Sequence, residues 1–267
     1  MSVVHREGPD GTRSYAARAV EPRLAAHLAR TPLGFAQRSA GGGRWVEIPS
    51  PRATVILSCA GSFGRLPAAF AAGLTDASEP IETGGEVVCV DLKLTPLGAH
   101  GLLGLPMDEL TGRTVDLVDL LGVEASRLEA QLAEAEDWGS RLDLVDGFLL
   151  RRAEVGPRPS ADVVHCYRRL VESRGRARVA DLVAETGRSH RHLTIRFRRE
   201  VGLAPKRLAR VIRFRYLLER LDRGDELARA AFECGYSDQP HLNREFRSLA
   251  ATTPTEYLAR AGSSTPG

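Results

Sequence analysis

A chain that contains part of itself twice has few ways to fold, and this one repeats itself after residue 178. The first copy reads Val179-Ala180-Asp181-Leu182-Val183-Ala184-Glu185-Thr186-Gly187-Arg188-Ser189 and continues His190-Arg191-His192-Leu193-Thr194-Ile195-Arg196-Phe197. The second reads Leu227-Ala228-Arg229-Ala230-Ala231-Phe232-Glu233-Cys234-Gly235-Tyr236-Ser237-Asp238 and continues Gln239-Pro240-His241-Leu242-Asn243-Arg244-Glu245-Phe246. Gly187 and Gly235 match at an offset of 48. After one inserted turn residue, Leu193/Leu242, Phe197/Phe246 and Pro205/Pro254 match at an offset of 49.

Each copy obeys the same local physics. A short apolar helix stops at a glycine, which takes the left-handed conformation of a tight turn without a Cβ clash. Ser189 or Asp238 then offers a side-chain oxygen to cap the next helix. That second helix places Leu193, Phe197 and Val201, or Leu242, Phe246 and Ala250, at i, i+4 and i+8, one buried stripe. Helix, tight turn and helix make a helix-turn-helix, whose second helix can enter the major groove of a nucleic-acid duplex.

The opposite face follows from about 100° of rotation per residue. In the first copy it carries Arg191, Thr194, Ile195 and Arg198; in the second, Pro240, Asn243, Arg244 and Arg247, with Gln239 and His241 near the helix start. Arginine reads guanine and Asn or Gln reads adenine through paired hydrogen bonds. The candidate base readers are therefore Arg191, Thr194, Ile195, Gln239, His241, Asn243 and Arg244. For Ile195 two readings stand side by side: contact with a thymine methyl, or packing on the preceding helix. Arg188, Ser189, Arg198, Lys206, Arg210, Arg213 and Arg247 are the candidate phosphate contacts. Residues 188–215 hold ten basic side chains and one acid, Glu200, which is more than a solvated face requires.

Residues 206–222 lie between the copies without Pro or Gly. Leu208, Val211, Leu218 and Leu221 supply apolar positions, and Lys206, Arg210 and Arg213 a basic stripe. Such a rod of roughly 25 Å, with parts of its flanking helices, approaches the ~34 Å of one duplex turn. One chain could then set two reading helices in successive grooves.

Charge divides the chain in the same sense. Residues 1–150 carry 13 basic and 20 acidic side chains, net −7, and residues 151–267 carry 24 and 14, net +10. A basic half joined to an acidic one suggests a polyanionic partner for the second half. No run approaches the ~18–20 apolar residues of a membrane helix, and the opening Met1-Ser2-Val3-Val4-His5-Arg6-Glu7 builds no signal-peptide core. Cys59, Cys89, Cys166 and Cys234 form no CxxC and read as buried, reduced thiols. A cytoplasmic protein without membrane contact is expected.

The first half reads less sharply. Strand-like runs occupy residues 44–48, 54–59 and 86–94, after a glycine-rich break at Ala40-Gly41-Gly42-Gly43. Residues 15–94 are expected to form a small β-rich unit. Between residues 95 and 153 helical spacings take over, through Leu97, His100 and Leu103, then Leu117, Leu120 and Leu121, then Leu128 and Leu132, and finally Leu142, Val145, Phe148 and Leu149. The last two helices predict an antiparallel hairpin that serves either as a dimer seam or as internal core packing. Gly156-Pro157-Arg158-Pro159-Ser160 reads as a linker. The expected fold class is α+β: a β-rich domain with packed helices at 1–154, a linker at 155–160, an all-α domain at 161–262 with two helix-turn-helix motifs joined by a long helix, and a disordered tail at 263–267.

Residues 162–260 resemble the tandem helix-turn-helix module of the AraC/XylS family of bacterial transcription regulators. The series Ser189, Leu193, Phe197, Gly202, Pro205 and the series Gly235-Tyr236-Ser237-Asp238-Gln239, His241-Leu242, Arg244, Phe246, Pro254 carry the likeness. It implies sequence-specific binding of double-stranded promoter DNA and contact with RNA polymerase. The family's base-reading positions fall on Arg191, Thr194 and Ile195, and on Gln239, His241 and Arg244. Val183 and Ala230 depart from the usual Ala and Ile, and Pro240 stands at a contact position. The first half, through residues 94–104 and 116–121, is similar to a domain that precedes this module in many bacterial regulators. In the family such a domain often senses a small-molecule effector or forms a homodimer.

Catalytic chemistry is hard to assemble from what remains. His5, His27 and His100 form no HxH or HExxH, so no metal or other cofactor is implied. Residues 41–43 lack the context of a phosphate loop. His165-Cys166 and the His190/His192 pair lack further ligands. An enzyme is not expected. The same module accompanies DNA alkyl-repair proteins with a reactive cysteine, for which Cys234 is the formal candidate. The third alternative is a non-sensing architectural DNA-binding protein, with residues 1–150 serving only to dimerise.

Overall fold

The computed structural model of the protein describes residues 3–7, 13–38, 43–61, 63–83 and 85–263. Met1 and Ser2, the glycine-rich break at Ala40, Gly41 and Gly42, and residues 264–267 of the expected tail lie outside them. Among the described residues nine strands precede residue 117: β1 Val4–Glu7, β2 Arg13–Ala17, β3 Leu33–Arg38, β4 Gly43–Glu47, β5 Ala53–Gly61, β6 Phe70–Ala72, β7 Glu79–Thr83, β8 Glu86–Leu94 and β9 Thr114–Asp116. Seven of them form an antiparallel sheet in the order β1-β2-β3-β8-β5-β6-β9, while β4 and β7 pair as a separate ribbon.

Alternation in the two central strands sets the layers, because successive strand side chains point to opposite faces. Val55, Leu57 and Cys59 of β5 and Val90, Leu92 and Leu94 of β8 enter the main core. Ile56 of β5 and Val87 and Cys89 of β8 face the other way, onto Phe63 and Phe70. The partners Val55↔Leu92 and Leu57↔Val90 hold this register up to a shift between Ser58 and Ala60. The sheet outruns the β unit expected at 15–94. β1 precedes it, and β9 follows it, because three residues suffice for an edge strand that pairs with β6.

Helices α1 Pro96–Leu103, α2 Leu117–Leu121, α3 Val123–Glu134 and α4 Trp138–Val155 cover the main-core face. Thr95 caps α1 by accepting from the Gly98 N–H at 2.9 Å, and Asp137 caps α4 by accepting from Ser140 at 3.0 Å. The α3–α4 hairpin turns Leu128 and Leu132, and Leu142, Val145, Phe148 and Leu149, into the chain's own core. Of its two expected uses, internal packing is the one these side chains serve.

The 156–160 segment is neither helix nor strand, yet it is not a loose tether. A Cβ on Gly156 would sit 1.8 Å from the Gly101 carbonyl oxygen, so only glycine fits against α1. At its other end Ser160 donates from its backbone N–H to Glu200 at 2.8 Å.

Beyond it come α5 Ala161–Glu172, α6 Val179–Thr186, α7 His190–Val201, α8 Pro205–Asp222, α9 Leu227–Glu233, α10 Gln239–Ala250 and α11 Pro254–Ser263. These helices do not share one core. Leu182, Leu193, Phe197, Val201, Leu208 and Ile212 are continuous with the apolar interior of the N-terminal half. Phe214, Leu217, Leu218, Leu221, Ala230, Leu242, Phe246 and Leu249 make a second core. The division falls within α8, between Ile212 and Phe214. Helix α7 also packs on α1 and on the short turn Met107–Glu109, and the Thr111 hydroxyl donates to the Gly202 carbonyl at 2.7 Å. The first helix-turn-helix is thus built into the N-terminal half, while the second has an interior of its own.

Candidate nucleic-acid interface

Both turns close as their sequences require. Gly187 ends α6 at φ 63°, and Gly235 follows α9 at φ 83°, each in the left-handed region that suits a residue without Cβ. Ser189 then accepts from the His192 N–H at 3.2 Å, and Asp238 from the His241 N–H at 2.7 Å, so α7 and α10 begin on a capping oxygen. The bonds from His241 and Ser237 hold the Asp238 carboxyl below the usual range, leaving an anion at the positive end of α10.

The inward faces are fully apolar at their anchors. Leu193, Phe197 and Val201 are buried, as are Leu242, Phe246 and Ala250. Ala230, where the family more often has Ile, is completely buried and packs in the second core. Phe246 meets Phe214 of α8 edge-to-face, with ring centroids 4.9 Å apart. Each such ring contributes about 1.5–3 kcal/mol by leaving water.

On the outward faces Arg191, Arg198, Lys206, Arg244 and Arg247 are exposed and pair with no acid among the described residues. Gln239 is exposed, and Thr194, His241 and Asn243 are half-buried. The Gln239 amide donates to Asn243 Oδ1 at 3.3 Å, one turn along α10. His241 stacks at a tilt on Tyr236, and its Nδ1 lies 3.3 Å from the Ser237 hydroxyl. Ile195 keeps 59% of its surface exposed. Arg188 is exposed but lies 3.5 Å from Asp162, beside Arg196. Ser189, exposed, is occupied as the α7 cap.

Two of the candidate phosphate contacts are engaged within the chain. Sequence reasoning gives Arg210 and Arg213 to phosphate, as part of a basic stripe on the rod. The structure turns both onto Glu245: Arg210 Nε donates at 3.1 Å and Arg213 Nη2 at 2.9 Å. The Tyr236 hydroxyl donates to the same carboxylate at 2.7 Å, and burial pushes the Tyr236 phenol up. Arg210 also donates to the Ser248 hydroxyl at 3.0 Å. Sequence reasoning missed Glu245, although it lies three residues after Leu242 and so on the buried side of α10. Glu200, three residues after Phe197, is buried for the same reason and is held by Ser160.

Cys234 is buried, and desolvation pushes its thiol up, the reverse of what a reactive thiolate needs. The other three cysteines are also buried and free. Among the described residues no three His, Cys, Asp or Glu side chains converge as a metal site, and no helix is long and apolar enough to cross a membrane.

A second feature lies on the sheet face away from the helices. A cavity of about 340 Å³ sits between the large sheet and the residues around the β4–β7 ribbon. Phe35, Ile56, Phe63, Leu66, Phe70 and Ile81 line it with apolar surface. Its polar groups include Lys93, which donates to Thr54 at 2.8 Å and lies 3.5 Å from Asp91.

Tandem helix-turn-helix units on a basic half, carried by a sheet-and-helix N-terminal half, define a DNA-binding transcription regulator. Residues 182–260 match the family model described as a helix-turn-helix domain, and the chain carries this domain in its AraC-type form. The chain has no match among curated proteins at a significant level. Among solved structures it is similar to ToxT from Vibrio cholerae, at 12% identity and a TM-score of 0.49, over 86% of this chain and 98% of that one. It is also similar to ToxT from strain O395 bound to (E)-4-(8-methylnaphthalen-1-yl)but-3-enoic acid, at 13% identity and a TM-score of 0.47, over 87% of this chain and 100% of that one.

Proposed function

We propose that the protein is a sequence-specific regulator that reads two successive major grooves of one duplex and answers to a small molecule held in the N-terminal cavity. The observation that carries the first part is the pair of capped helices, α7 and α10, whose outward faces present Arg191, Arg198, Gln239, Arg244 and Arg247 as exposed side chains. At 18 residues, α8 is ~27 Å long and keeps the two motifs on one rod. Arg191, Thr194 and Ile195 would meet bases in one groove, and Gln239, His241, Asn243 and Arg244 in the next. Arg188, Ser189, Arg198, Lys206 and Arg247 would meet phosphates. Arg210 and Arg213 have no part in this assignment.

The cavity supports the second part. Its volume is at the lower end of ordinary ligand pockets, and its mainly apolar wall with a few polar groups suits a compact hydrophobic molecule with one polar end. The chain's domains are proposed as 1–154 for sensing, 155–160 as the link and 161–262 for DNA. RNA polymerase is the proposed partner at the promoter.

Selection of bound duplexes from a random library, followed by footprinting, tests the reading. Two protected half-sites about one helical turn apart are expected. A single protected half-site would limit recognition to one motif, and the absence of any preferred sequence would leave only an architectural binder.

A further inference from the structure

The wall of the cavity meets the second core directly at Ile48, and beside the wall Asp76 holds the first half of α8. Ile48, which lines the cavity, packs against the second core. Gly73, Thr75 and Glu79 also line it, and Asp76, between them, forms an ion pair with α8. Arg207 Nε donates to Asp76 Oδ2 at 2.7 Å, with a second bond from its Nη2, and Arg210 Nη1 lies 4.0 Å from the same carboxylate. Arg207 holds the Asp76 carboxyl below its usual range. Arg210 in turn grips Glu245 and Ser248 on α10. An unbroken chain of contacts therefore runs from the cavity wall through Asp76, Arg210 and Glu245 to the second reading helix.

What this chain of contacts can move is set by the two cores. The first motif shares its interior with the sheet and is pinned further by Thr111 and Ser160. It cannot shift without disrupting the main core. The second motif is joined to the remainder by α8, by Ile48, by Arg174 lying over the Tyr216 ring at 4.1 Å, and by the Asp76 cluster. A packed interior moves as a unit, so a small change at its edge displaces the whole motif rather than deforming it.

We infer that the cavity controls the second helix-turn-helix alone, directly through Ile48 and from Asp76 by way of Arg210, whose side chain reaches Glu245 and Ser248 of α10, with α8 yielding between Ile212 and Phe214. Regulation then works by setting the position of α10 relative to α7, and so the spacing of the two half-sites. The 156–160 link is not the hinge. This rests on the cavity being an effector site, as proposed above.

Hydrogen exchange on the full-length protein separates the possibilities. Asp76→Asn should speed exchange about five- to tenfold across residues 227–250 and leave residues 179–201 unchanged, since Arg210, which holds Glu245 and Ser248 of α10, loses one of its two acids. The conservative variant Asp76→Glu, which keeps an acid facing Arg207 and Arg210, should return the wild-type pattern, which excludes a general loss of folding. The dye 8-anilinonaphthalene-1-sulfonate, small enough for an apolar cavity, should alter exchange in residues 227–250 selectively. Equal changes in both motifs, or none in either, would overturn the inference. A dye that binds without altering residues 227–250 would overturn it too, and leave the effector reading intact. A dye that does not bind counts against the effector reading, and the Asp76→Asn result then decides the coupling.

Discussion

The Tyr236 hydroxyl donates to Glu245 at 2.7 Å beneath the second reading helix, and the same carboxylate receives Arg210 and Arg213 from α8. A buried carboxylate with three donors is stable only while all of them remain, because an unpaired charge in a low-dielectric interior is costly. Glu245→Ala should therefore destabilise the protein by about 3–5 kcal/mol in urea denaturation, leaving two guanidinium groups without their shared acid. A loss below ~1 kcal/mol would mean that water already serves this cluster.

The same geometry separates Arg210 from the exposed arginines. Replacing Arg210 by Ala should lower stability and leave the salt dependence of DNA binding unchanged, because its charge is committed within the chain. Arg247→Ala should do the reverse and make the slope of log K against log salt shallower by about 1. If Arg210→Ala makes the slope shallower by that amount, the guanidinium leaves Glu245 for phosphate when DNA binds.

Arg244 is exposed on α10 and forms no salt bridge among the described residues, and so its role can be read from specificity. Arg244→Ala should relax the preference at one base pair and cost about 1–3 kcal/mol on the selected site. An equal loss on every duplex would place Arg244 on phosphate.

The repeated motifs were legible because each of their signals is local. Gly187 and Gly235 supply turns, Ser189 and Asp238 supply caps, and Leu193/Phe197 and Leu242/Phe246 lie one turn apart. Much of the sheet was not legible. β2 and β3 owe their place to pairing with each other and with β8, and such long-range pairing leaves little mark on short strands. Glu245 and Asp76 were missed for a related reason. An acid reads as solvated until its partners are known, and those partners lie 35 and 131 residues away, at Arg210 and Arg207. The division of the interior within α8 left no mark in the sequence, since Ile212 and Phe214 are both ordinary apolar residues of one continuous helix.

The first motif carries its own pH signature. Glu185 of α6 accepts from Arg169 of α5 at 3.0 and 3.1 Å and lies 2.7 Å from His165 Nε2. Those bonds, Arg169 first, lower its carboxyl from 4.5 to about 2. A carboxyl whose folded value lies below its unfolded one adds stability that is complete above the unfolded value and disappears as pH falls through the folded one. The contribution should hold at neutral pH, begin to fall near pH 5 and be gone near pH 2. Melting temperatures of the wild type and of Glu185→Gln should therefore differ at pH 7 and converge as the solution is acidified. Curves that stay parallel over that range would show that the α5–α6 contact does not depend on the Glu185 charge.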